Sequence, residues 1–347
     1  DLVVTTQVDD FLYAGDDLAV KEFEAMCDRE FTVGSKEIQN FEYRGMNIQT
    51  RKLDDGTIEI DLDVNDYSRT ITPIPNIPKT ARGVNTQLPL TSQQHTEYRK
   101  TVGQLQWAVT QCLVRDSYEV NLLAQWLASP RLQDAMRANR LVTRLASETY
   151  IHTLRGWSLK RGIQVVTIED ASFQGNPPDK NGIKSSQGGC LLCVSPREPQ
   201  VGDPLVLLQW GSHKIKRAHR SAPGAELLTT MAAVNEADLA KWTLGYLYGN
   251  KLARETCSLT DSQANIDLVN GIRTPEETNL IPDMLNLRMR IQHGVLWMEK
   301  VSGSMNPSDG LTKTQGVQAG SGAQAKRSLE MYTKDFMWLD WYDKEQS

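Results

Sequence analysis

The stretch Val165-Val166-Thr167-Ile168-Glu169-Asp170 decides how the second half of the chain is interpreted. Its first four residues predict a strand, and the two acids mark the end of that strand. Further predicted strands follow, interleaved with a long helical stretch. This alternation predicts an α/β sheet over residues 161–313. The later elements are strands at 189–195, 205–210, 256–259 and 295–301 and a helix at 225–248.

Four acids lie at the ends of these predicted elements. Asp170 and Asp261 each follow a strand, whereas Glu226 lies at the start of the long helix and Asp309 in a polar turn. Carboxylates that meet beside a sheet repel one another unless cations hold them, and Mg²⁺, or Mn²⁺ as a substitute, is the natural cation. Two such ions about 3.5–4 Å apart can activate a water and stabilise the leaving oxygen of a phosphodiester. The pattern indicates metal-assisted hydrolysis; unrelated surface acids are the alternative, because the chain holds 43 Asp and Glu residues.

Length and composition limit the architecture. At roughly 100–200 residues per domain, the 347 residues predict two domains and allow three. A hydrophobic share of 39% is enough for ordinary cores. Residues 1–70 hold 7 Lys and Arg against 17 Asp and Glu, whereas residues 71–159 hold 10 against 5. The chain therefore lacks a uniformly basic surface, and any contact with nucleic acid must be local.

The sequence carries no membrane or secretory address. No apolar run approaches the roughly 18 residues that a spanning helix needs, and the first residues show no signal-peptide pattern. The five cysteines are odd in number, and the one close pair, Cys190 and Cys193, has no second pair to complete a zinc site. We therefore expect reduced thiols, no membrane partner and an intracellular location in the cytoplasm or nucleus.

The first 72 residues are predicted to be α+β. Residues 1–15 alternate as strand, turn and strand, which predicts a hairpin with Asp9 and Asp10 at its tip. The elements that follow are a helix at 16–27 and paired strands at 41–49 and 56–62.

A proline-rich stretch at 73–95 is predicted to be a linker between two modules. Four prolines and a glycine fall within 17 positions there, which no regular element tolerates. From residue 96 to about 155 the apolar spacing is helical, with one break at Pro130. A second linker, rich in small residues, is predicted at 316–322, before an aromatic cluster near the end of the chain.

Two groups of basic residues are candidates for contact with nucleic acid. The first lies on a predicted helix, where spacings of three and four place the arginines on one face. The second lies in the run from His213 to Arg220. Phosphate binding is one interpretation of both groups, and a solvated helix face or a solvated edge strand is the alternative. The candidates are Arg137, Arg140 and Arg144 in the first group and Lys214, Lys216, Arg217 and Arg220 in the second.

Four short strings contain the four candidate acids, namely Thr167-Ile168-Glu169-Asp170-Ala171-Ser172-Phe173, Arg220-Ser221-Ala222-Pro223-Gly224-Ala225-Glu226-Leu227, Thr260-Asp261-Ser262-Gln263-Ala264 and Ser308-Asp309-Gly310-Leu311-Thr312-Lys313. In this order, the four strings resemble the RNase H domain of copia-type LTR retrotransposon Pol polyproteins. Upstream, Val8-Asp9-Asp10 resembles the polymerase hairpin of these polyproteins, and residues 41–48 resemble the strand that follows it. Residues 98–107 through 120–123 resemble the thumb and connection helices, so the resemblance covers nearly all of residues 1–313.

The resemblance implies an α+β fold followed by an α/β fold. A partial polymerase palm and a helical thumb/connection would precede an RNase H-like mixed sheet flanked by helices. The implied divisions are the C-terminal part of a reverse transcriptase palm at 1–72, a linker at 73–95, the thumb/connection at 96–160, the RNase H-like domain at 161–313 and a tail at 314–347.

The activity implied by the resemblance is Mg²⁺-dependent hydrolysis of the RNA strand of RNA/DNA hybrids. Asp9 and Asp10 would be polymerase acids that hold Mg²⁺ against the incoming nucleotide, with an RNA template and a DNA primer as partners. The metal ligands of the hydrolytic reaction would be Asp170, Glu226, Asp261 and Asp309.

Two departures from the family pattern bear on activity. The integrase, the polymerase fingers and another metal-binding acid would lie upstream of Asp1, so we expect no nucleotide incorporation by this chain. Residues 301–306 lack the histidine that related RNases H often carry before the last acid, which would slow hydrolysis. The first alternative is a catalytically inactive, decayed remnant that serves at most as a nucleic-acid-binding scaffold. An unrelated α/β phosphotransferase is disfavoured, because the sequence lacks a Walker-type loop.

Overall fold

The computed structural model describes residues 1–178, 182–200, 202–274 and 276–313. The linker predicted at 316–322 and the tail at 314–347 lie outside the described residues.

The chain begins with an antiparallel hairpin, as its sequence predicts. Strand β1 (Leu2–Gln7) pairs with β2 (Asp10–Gly15). Helix α1 (Asp17–Glu30) begins after Asp16, whose carboxylate accepts a hydrogen bond from the Ala19 amide at 3.0 Å. The predicted hairpin and the predicted helix are both confirmed.

A four-stranded antiparallel sheet follows, and it differs from the predicted pair of strands. The single strand predicted at 41–49 is wrong, because Arg44 and Gly45 adopt positive φ angles of 57° and 76° and turn the chain back on itself. Residues 152–155 lie in the segment that the sequence predicts to be helical. They form the last strand of this sheet and pair with residues 59–62. In spatial order the strands are β3 (Asn40–Tyr43), β4 (Met46–Lys52), β5 (Ile58–Asp63) and β6 (His152–Arg155).

Four helices lie between β5 and β6 along the chain. The predicted break at Pro130 is confirmed, and a second break at Val114–Asp116 was not predicted. Helix α3 begins inside the predicted linker, because Thr91 and Gln94 form a capping box. No helix within the described ranges is long and apolar enough to cross a membrane. The helices are α2 (Asn65–Thr70), α3 (Ser92–Gln111), α4 (Ser117–Gln125) and α5 (Leu132–Ser147).

The proline-rich stretch does not separate the strands from the helices. Ile71 and Ile74 are only 3% and 2% exposed, and they share one core with Tyr98 of α3 and Leu141 of α5. The Asn139 side chain accepts a hydrogen bond from the Ile74 amide at 2.7 Å and donates to its carbonyl at 2.9 Å. The expectation of a linker between two modules is corrected here, because the apolar side chains between the prolines pack into a shared core.

The second half of the chain forms a five-stranded mixed sheet flanked by helices, which confirms the predicted α/β arrangement. The three strands that come first along the chain are antiparallel, whereas the last two run parallel to the central strand. In spatial order the strands are β11 (Leu296–Lys300), β10 (Leu252–Thr260), β7 (Ile163–Ser172), β8 (Gln187–Ser195) and β9 (Val206–Lys214). The helices are α6 (Ala222–Tyr248), α7 (Gln263–Val269) and α8 (Ile281–Gln292), and a 3-10 helix spans Pro307–Leu311.

The two faces of this sheet are covered by different parts of the chain. On one face Ala237 of α6 packs with Val165 and Leu192. On the other face Val114, from the turn between α3 and α4, packs in one cluster with Ile168. The turn between α3 and α4 in the first half therefore contributes to the core of the second-half sheet.

Buried Asp116 depends on an arginine of α5. Asp116 is 0% exposed, its carboxylate accepts a hydrogen bond from the Arg144 guanidinium, and Arg115 lies 3.4 Å away. Arg144→Gln should lower the free energy of unfolding by about 2 kcal/mol. This is less than the full cost of breaking a buried ion pair, because the Arg144 side chain is 30% exposed.

Arg140→Gln is the matched control, because Arg140 is exposed on the same helix. It should change the free energy of unfolding by less than about 0.5 kcal/mol. Urea unfolding followed by tryptophan fluorescence measures both variants. Equal effects of the two would contradict the structural role of Arg144.

Candidate functional site

Three of the predicted acids converge at one edge of the mixed sheet. Asp170, Glu226 and Asp261 each offer one carboxylate oxygen, and these oxygens lie within 4.8 Å of one another. Asp170 and Glu226 are buried, and Asp261 is half-buried. Such a group supplies the hard oxygen ligands that Mg²⁺ prefers.

Strand register and a helix cap position these three acids. Asp170 lies on β7 opposite Gly189 of β8. Asp261 directly follows β10, which runs parallel to β7 and ends at the same edge. Glu226 follows from the start of α6, where the Ser221 hydroxyl accepts a hydrogen bond from the Gly224 amide at 3.1 Å.

Asp309, the fourth predicted acid, lies beside Asp170 but outside the group of three. It is part of the 3-10 helix and is 0% exposed. The Lys313 ammonium forms an ion pair with Asp309 and lies 3.8 Å from Asp170 Oδ2. The lysine cation therefore bridges these two carboxylates and offsets part of their mutual repulsion.

Sequence reasoning missed both Thr312 and Lys313 as parts of the site. The Thr312 hydroxyl donates a hydrogen bond to the Asp170 carboxylate. Lys313 lies four residues after Asp309, a spacing that can bring side chains together and could have signalled the ion pair. No local spacing could have signalled the contact between Thr312 and Asp170, which are 142 positions apart.

Burial and like charge raise the pKa values of the clustered acids. Burial raises the pKa of Glu226 well above its ordinary value, and the charges of Asp170 and Asp261 add to the shift. Burial, followed by the charge of Asp170, raises the pKa of Asp261 to about 6. Burial and Asp170 also raise the pKa of Asp309, while Lys313 opposes that rise. The folded chain thus holds these acids in a state that disfavours their charge.

Two buried carboxylate oxygens, one in the cluster and one on Asp309 beside it, have no hydrogen-bond partner among the described residues. They are Oε2 of Glu226 and Oδ2 of Asp309. A buried carboxylate oxygen without a partner is costly, and a cation that it can ligate removes the cost. The crowded acids and the unpartnered oxygens therefore fit divalent cations.

Glu169 is a buried acid directly beside the cluster. Pairing with β8 extends β7 to Ser172, so the strand end predicted at Glu169 and Asp170 is wrong and both acids lie within the sheet. Its carboxylate accepts hydrogen bonds from Thr167 at 2.6 Å and from Ser258 at 3.0 Å. Burial raises the pKa of Glu169 to about 8, although these hydrogen bonds lower it.

The basic run after β9 contains exposed side chains and one engaged arginine. Lys214, Lys216 and Arg220 are exposed. Arg217 is exposed as well, but it binds the Asp283 carboxylate of α8 at 2.8 Å and the Asn279 carbonyl at 3.3 Å. Strand β9 is an edge strand, as the alternative interpretation of this run expects. Phosphate binding by the run stays a prediction, and Arg217 is already used to hold α8.

The three candidate arginines of α5 have different surroundings. Arg144 binds buried Asp116, Arg137 lines a small cavity beside Glu119, and Arg140 is exposed. Phosphate binding by this group also stays a prediction, with Arg144 committed to a partner inside the protein.

Asp9 and Asp10 are not part of the acidic cluster. They are exposed at the tip of the β1–β2 hairpin and line a cleft of about 670 Å³ together with Phe11 and Phe23. Their role as polymerase acids stays a prediction.

Glu169→Gln should change how stability depends on pH. Folding raises the pKa of Glu169 from 4.5 to about 8, so its protonated form favours the folded state. This contribution is fully present below the unfolded pKa and is lost as the pH rises toward the folded pKa. The variant amide mimics the protonated acid, so the variant should become progressively more stable than the wild type, by about 3 kcal/mol at pH 7.

Urea unfolding in EDTA, at pH values from about 5 to about 8, measures this difference. Glu255→Gln is the matched control, because Glu255 is an exposed acid on β10. The control should follow the wild-type curve. Parallel curves for the wild type and Glu169→Gln would rule out a buried, protonated Glu169.

No family model matches this chain, and no curated protein matches it. Among solved structures, the N-terminal RNase H domain of a Mycobacterium tuberculosis protein, fused to maltose-binding protein, is 18% identical over 48% of this chain and 98% of that chain, with a TM-score of 0.30. RNase H1 from the halophilic archaeon Halobacterium salinarum is 19% identical over 43% of this chain and 94% of that chain, with a TM-score of 0.29. LC11-RNase H1 in complex with RNA/DNA hybrid is 16% identical over 43% and 94%, with a TM-score of 0.29. Each of these similarities covers less than half of this chain.

Proposed function

We propose that this chain hydrolyses the RNA strand of RNA/DNA hybrids in a metal-dependent reaction of the RNase H type. The observation that carries the proposal is the convergence of carboxylate oxygens from Asp170, Glu226 and Asp261 within 4.8 Å, with Asp309 beside them. The order of the four motif strings along the chain supports the same assignment.

The chain's own residues would prepare the site before the cations bind. Asp170, Glu226 and Asp261 would hold the first cation. A second cation, held by Asp170 and Asp309, would take the place of the Lys313 ammonium between these two carboxylates. Glu226 is already oriented by a hydrogen bond that it accepts from the Ala171 amide at 3.3 Å. When bound, Mg²⁺ or Mn²⁺ supplies an activated water and charge stabilisation for the leaving oxygen. Carboxylates fixed in advance need little reorganisation when the substrate arrives.

The hybrid would bind along the exposed basic residues beside the acids. Lys214 and Lys216 lie at the end of β9 and just after it, and Arg220 lies just before α6, which carries Glu226. Their charges would bind backbone phosphates and release counterions. This contact would position the scissile strand without reading its sequence.

We further propose that the chain is part of a copia-type retrotransposon Pol polyprotein that acts in the cytoplasm or nucleus. Residues 1–72 would be the C-terminal part of the reverse transcriptase palm, and residues 96–160 its thumb and connection. Asp9 and Asp10 would be polymerase acids that face an RNA template and a DNA primer. The β1–β2 hairpin supports this assignment, because the Val8-Asp9-Asp10 string lies at its tip.

Cleavage of a labelled RNA/DNA hybrid tests the hydrolytic proposal. The wild type should cleave the hybrid in Mg²⁺ or Mn²⁺, leave single-stranded RNA intact and lose activity in EDTA. Asp170→Asn should lower the rate by at least about 100-fold, because it removes a charged ligand from the centre of the cluster.

Asp267→Asn is the matched control for this experiment, because Asp267 lies on α7 outside the acidic group. Its rate should equal that of the wild type. If the wild type binds the hybrid without cleaving it, the hydrolytic proposal fails and the inactive-remnant alternative takes its place.

A double substitution, Lys214→Gln with Lys216→Gln, tests the proposed phosphate contact. It should weaken hybrid binding and lower the slope of log affinity against log salt by about 2, roughly one unit for each lost phosphate contact. Fluorescence anisotropy at several salt concentrations measures both effects. The same change of charge at exposed Lys160 and Lys251 is the control, because these residues precede β7 and β10 at the ends of the strands opposite the acids; it should have a smaller effect. Similar slopes for the two double variants would argue against a local grip.

A further inference from the structure

A chain of amide and hydroxyl side chains connects α4 with the 3-10 helix that carries Asp309. None of its members belongs to the acidic cluster. The chain runs from Asn121 on α4 through Gln187 on β8 and Ser212 on β9 to the Leu311 carbonyl.

The central member, Gln187, uses all of its hydrogen-bonding groups. Its Nε2 donates to Asn121 Oδ1 and to Ser212 Oγ, each at 2.9 Å. Its Oε1 accepts from Asn176 Nδ2 at 2.9 Å and from Gln125 Nε2 at 3.3 Å. Because Gln187 is 0% exposed, water would not replace a partner that is lost.

These contacts determine where the Ser212 proton points. An amide nitrogen can only donate, so Ser212 Oγ must accept the hydrogen bond from Gln187. The hydroxyl proton is then available for the Leu311 carbonyl, which can only accept and lies 2.6 Å away. Gln187 therefore donates both to Asn121 on α4 and to Ser212, and Ser212 donates in turn to the Leu311 carbonyl. The contact with α4 and the contact with Leu311 both depend on Gln187.

The Leu311 carbonyl belongs to the turn that holds the fourth acid. The Thr312 amide donates to the Asp309 carbonyl at 3.2 Å, and the Thr312 hydroxyl donates to Asp170. A displacement of Leu311 would therefore move Asp309 and disturb the contact with Asp170. Accurate placement matters here, because catalytic groups that are displaced by about 1 Å lose much of their effect.

The turn also packs closely on the backbone of β8. A Cβ atom at Gly189 would lie 2.7 Å from Leu311 Cβ and 3.2 Å from the Ser308 carbonyl oxygen. Gly189 pairs with Asp170 on one side and with Ser212 on the other. Gly189 therefore lies between Asp170 on β7 and Ser212 on β9, and the Asp309 turn packs directly on it.

We propose that Asn121, Gln187 and Ser212 are positioning residues that hold the Asp309 turn in place for the acidic site. Helix α4 would then help to position the acidic site, although it lies outside residues 161–313. The effect on catalysis rests on the proposed RNase H function, whereas the effect on the Asp309 turn does not.

Two variants break the series of hydrogen bonds between α4 and Leu311 at opposite ends. Ser212→Ala removes the donor to Leu311, and Asn121→Leu removes the acceptor on α4. Asn121→Asp keeps a carbonyl-type acceptor and should restore the wild-type behaviour. Asn139→Ala is the matched control, because it removes two hydrogen bonds to Ile74 within the helical segment and leaves the chain to Leu311 intact.

Hydrogen exchange of the full chain, followed by mass spectrometry of peptides that cover residues 303–313, is the first readout. Exchange in this segment should be about tenfold faster in Ser212→Ala and Asn121→Leu, which corresponds to the loss of about one hydrogen bond. It should be unchanged in Asn121→Asp and Asn139→Ala. The same exchange rate in all variants would overturn the proposal.

Hydrolysis of the hybrid is the second readout. In Ser212→Ala and Asn121→Leu, kcat should fall about tenfold with KM unchanged, because the acids lose their placement while the substrate contacts remain. Asn139→Ala should lose stability but keep kcat. Ser212→Ala and Asn121→Leu could instead lower stability while exchange at 303–313 and kcat stay unchanged. Asn121 and Ser212 would then have a structural role only, and the proposal would be overturned. If the wild type itself does not cleave hybrids, the proposed function fails, and the exchange experiment still decides whether the chain positions the turn.

Discussion

The pairing of β7 on both of its edges is the constraint on which the rest of the second half depends. Strand β8 binds one edge and β10 the other, so a shift of register would break hydrogen bonds on both sides. This register places Asp170 opposite Gly189 and places Asp261 one residue beyond the last pair between β7 and β10. Two acids on neighbouring strands therefore reach the same edge, and α6 has only to add Glu226.

The acidic cluster that results is only partly compensated by the protein itself. Lys313 bridges Asp170 and Asp309, but Glu226 Oε2 has no hydrogen-bond partner among the described residues. Burial and mutual repulsion raise the pKa of Asp261 to about 6. Buried carboxylates that repel one another favour the binding of cations, because each bound cation offsets both the repulsion and the cost of desolvation.

Local patterns predicted much of the fold, because alternation and helical spacing are properties of neighbouring residues. They located the hairpin, α1, α6 and the strands of the mixed sheet to within a few residues. They failed where distant contacts decide the outcome. Ile74 lies between prolines yet packs in the helical core, and Val114 of the helical segment packs under the mixed sheet. Residues 152–155 form a strand because β5 offers a partner, which no local spacing reveals.

The sequence by itself determined which acids are candidates for the site, because Asp170, Glu226, Asp261 and Asp309 lie in four short strings with a recognisable order. Only the tertiary structure decided that the first three share one cluster and that Asp309 is paired with Lys313 beside it. It also decided how the Asp309 turn is held, through contacts with β7, β8, β9 and, by way of Gln187, α4. The physical reason is the sequence separation of these contacts: the distance between residues about 100 or more positions apart is set by packing and register, which local spacing does not encode.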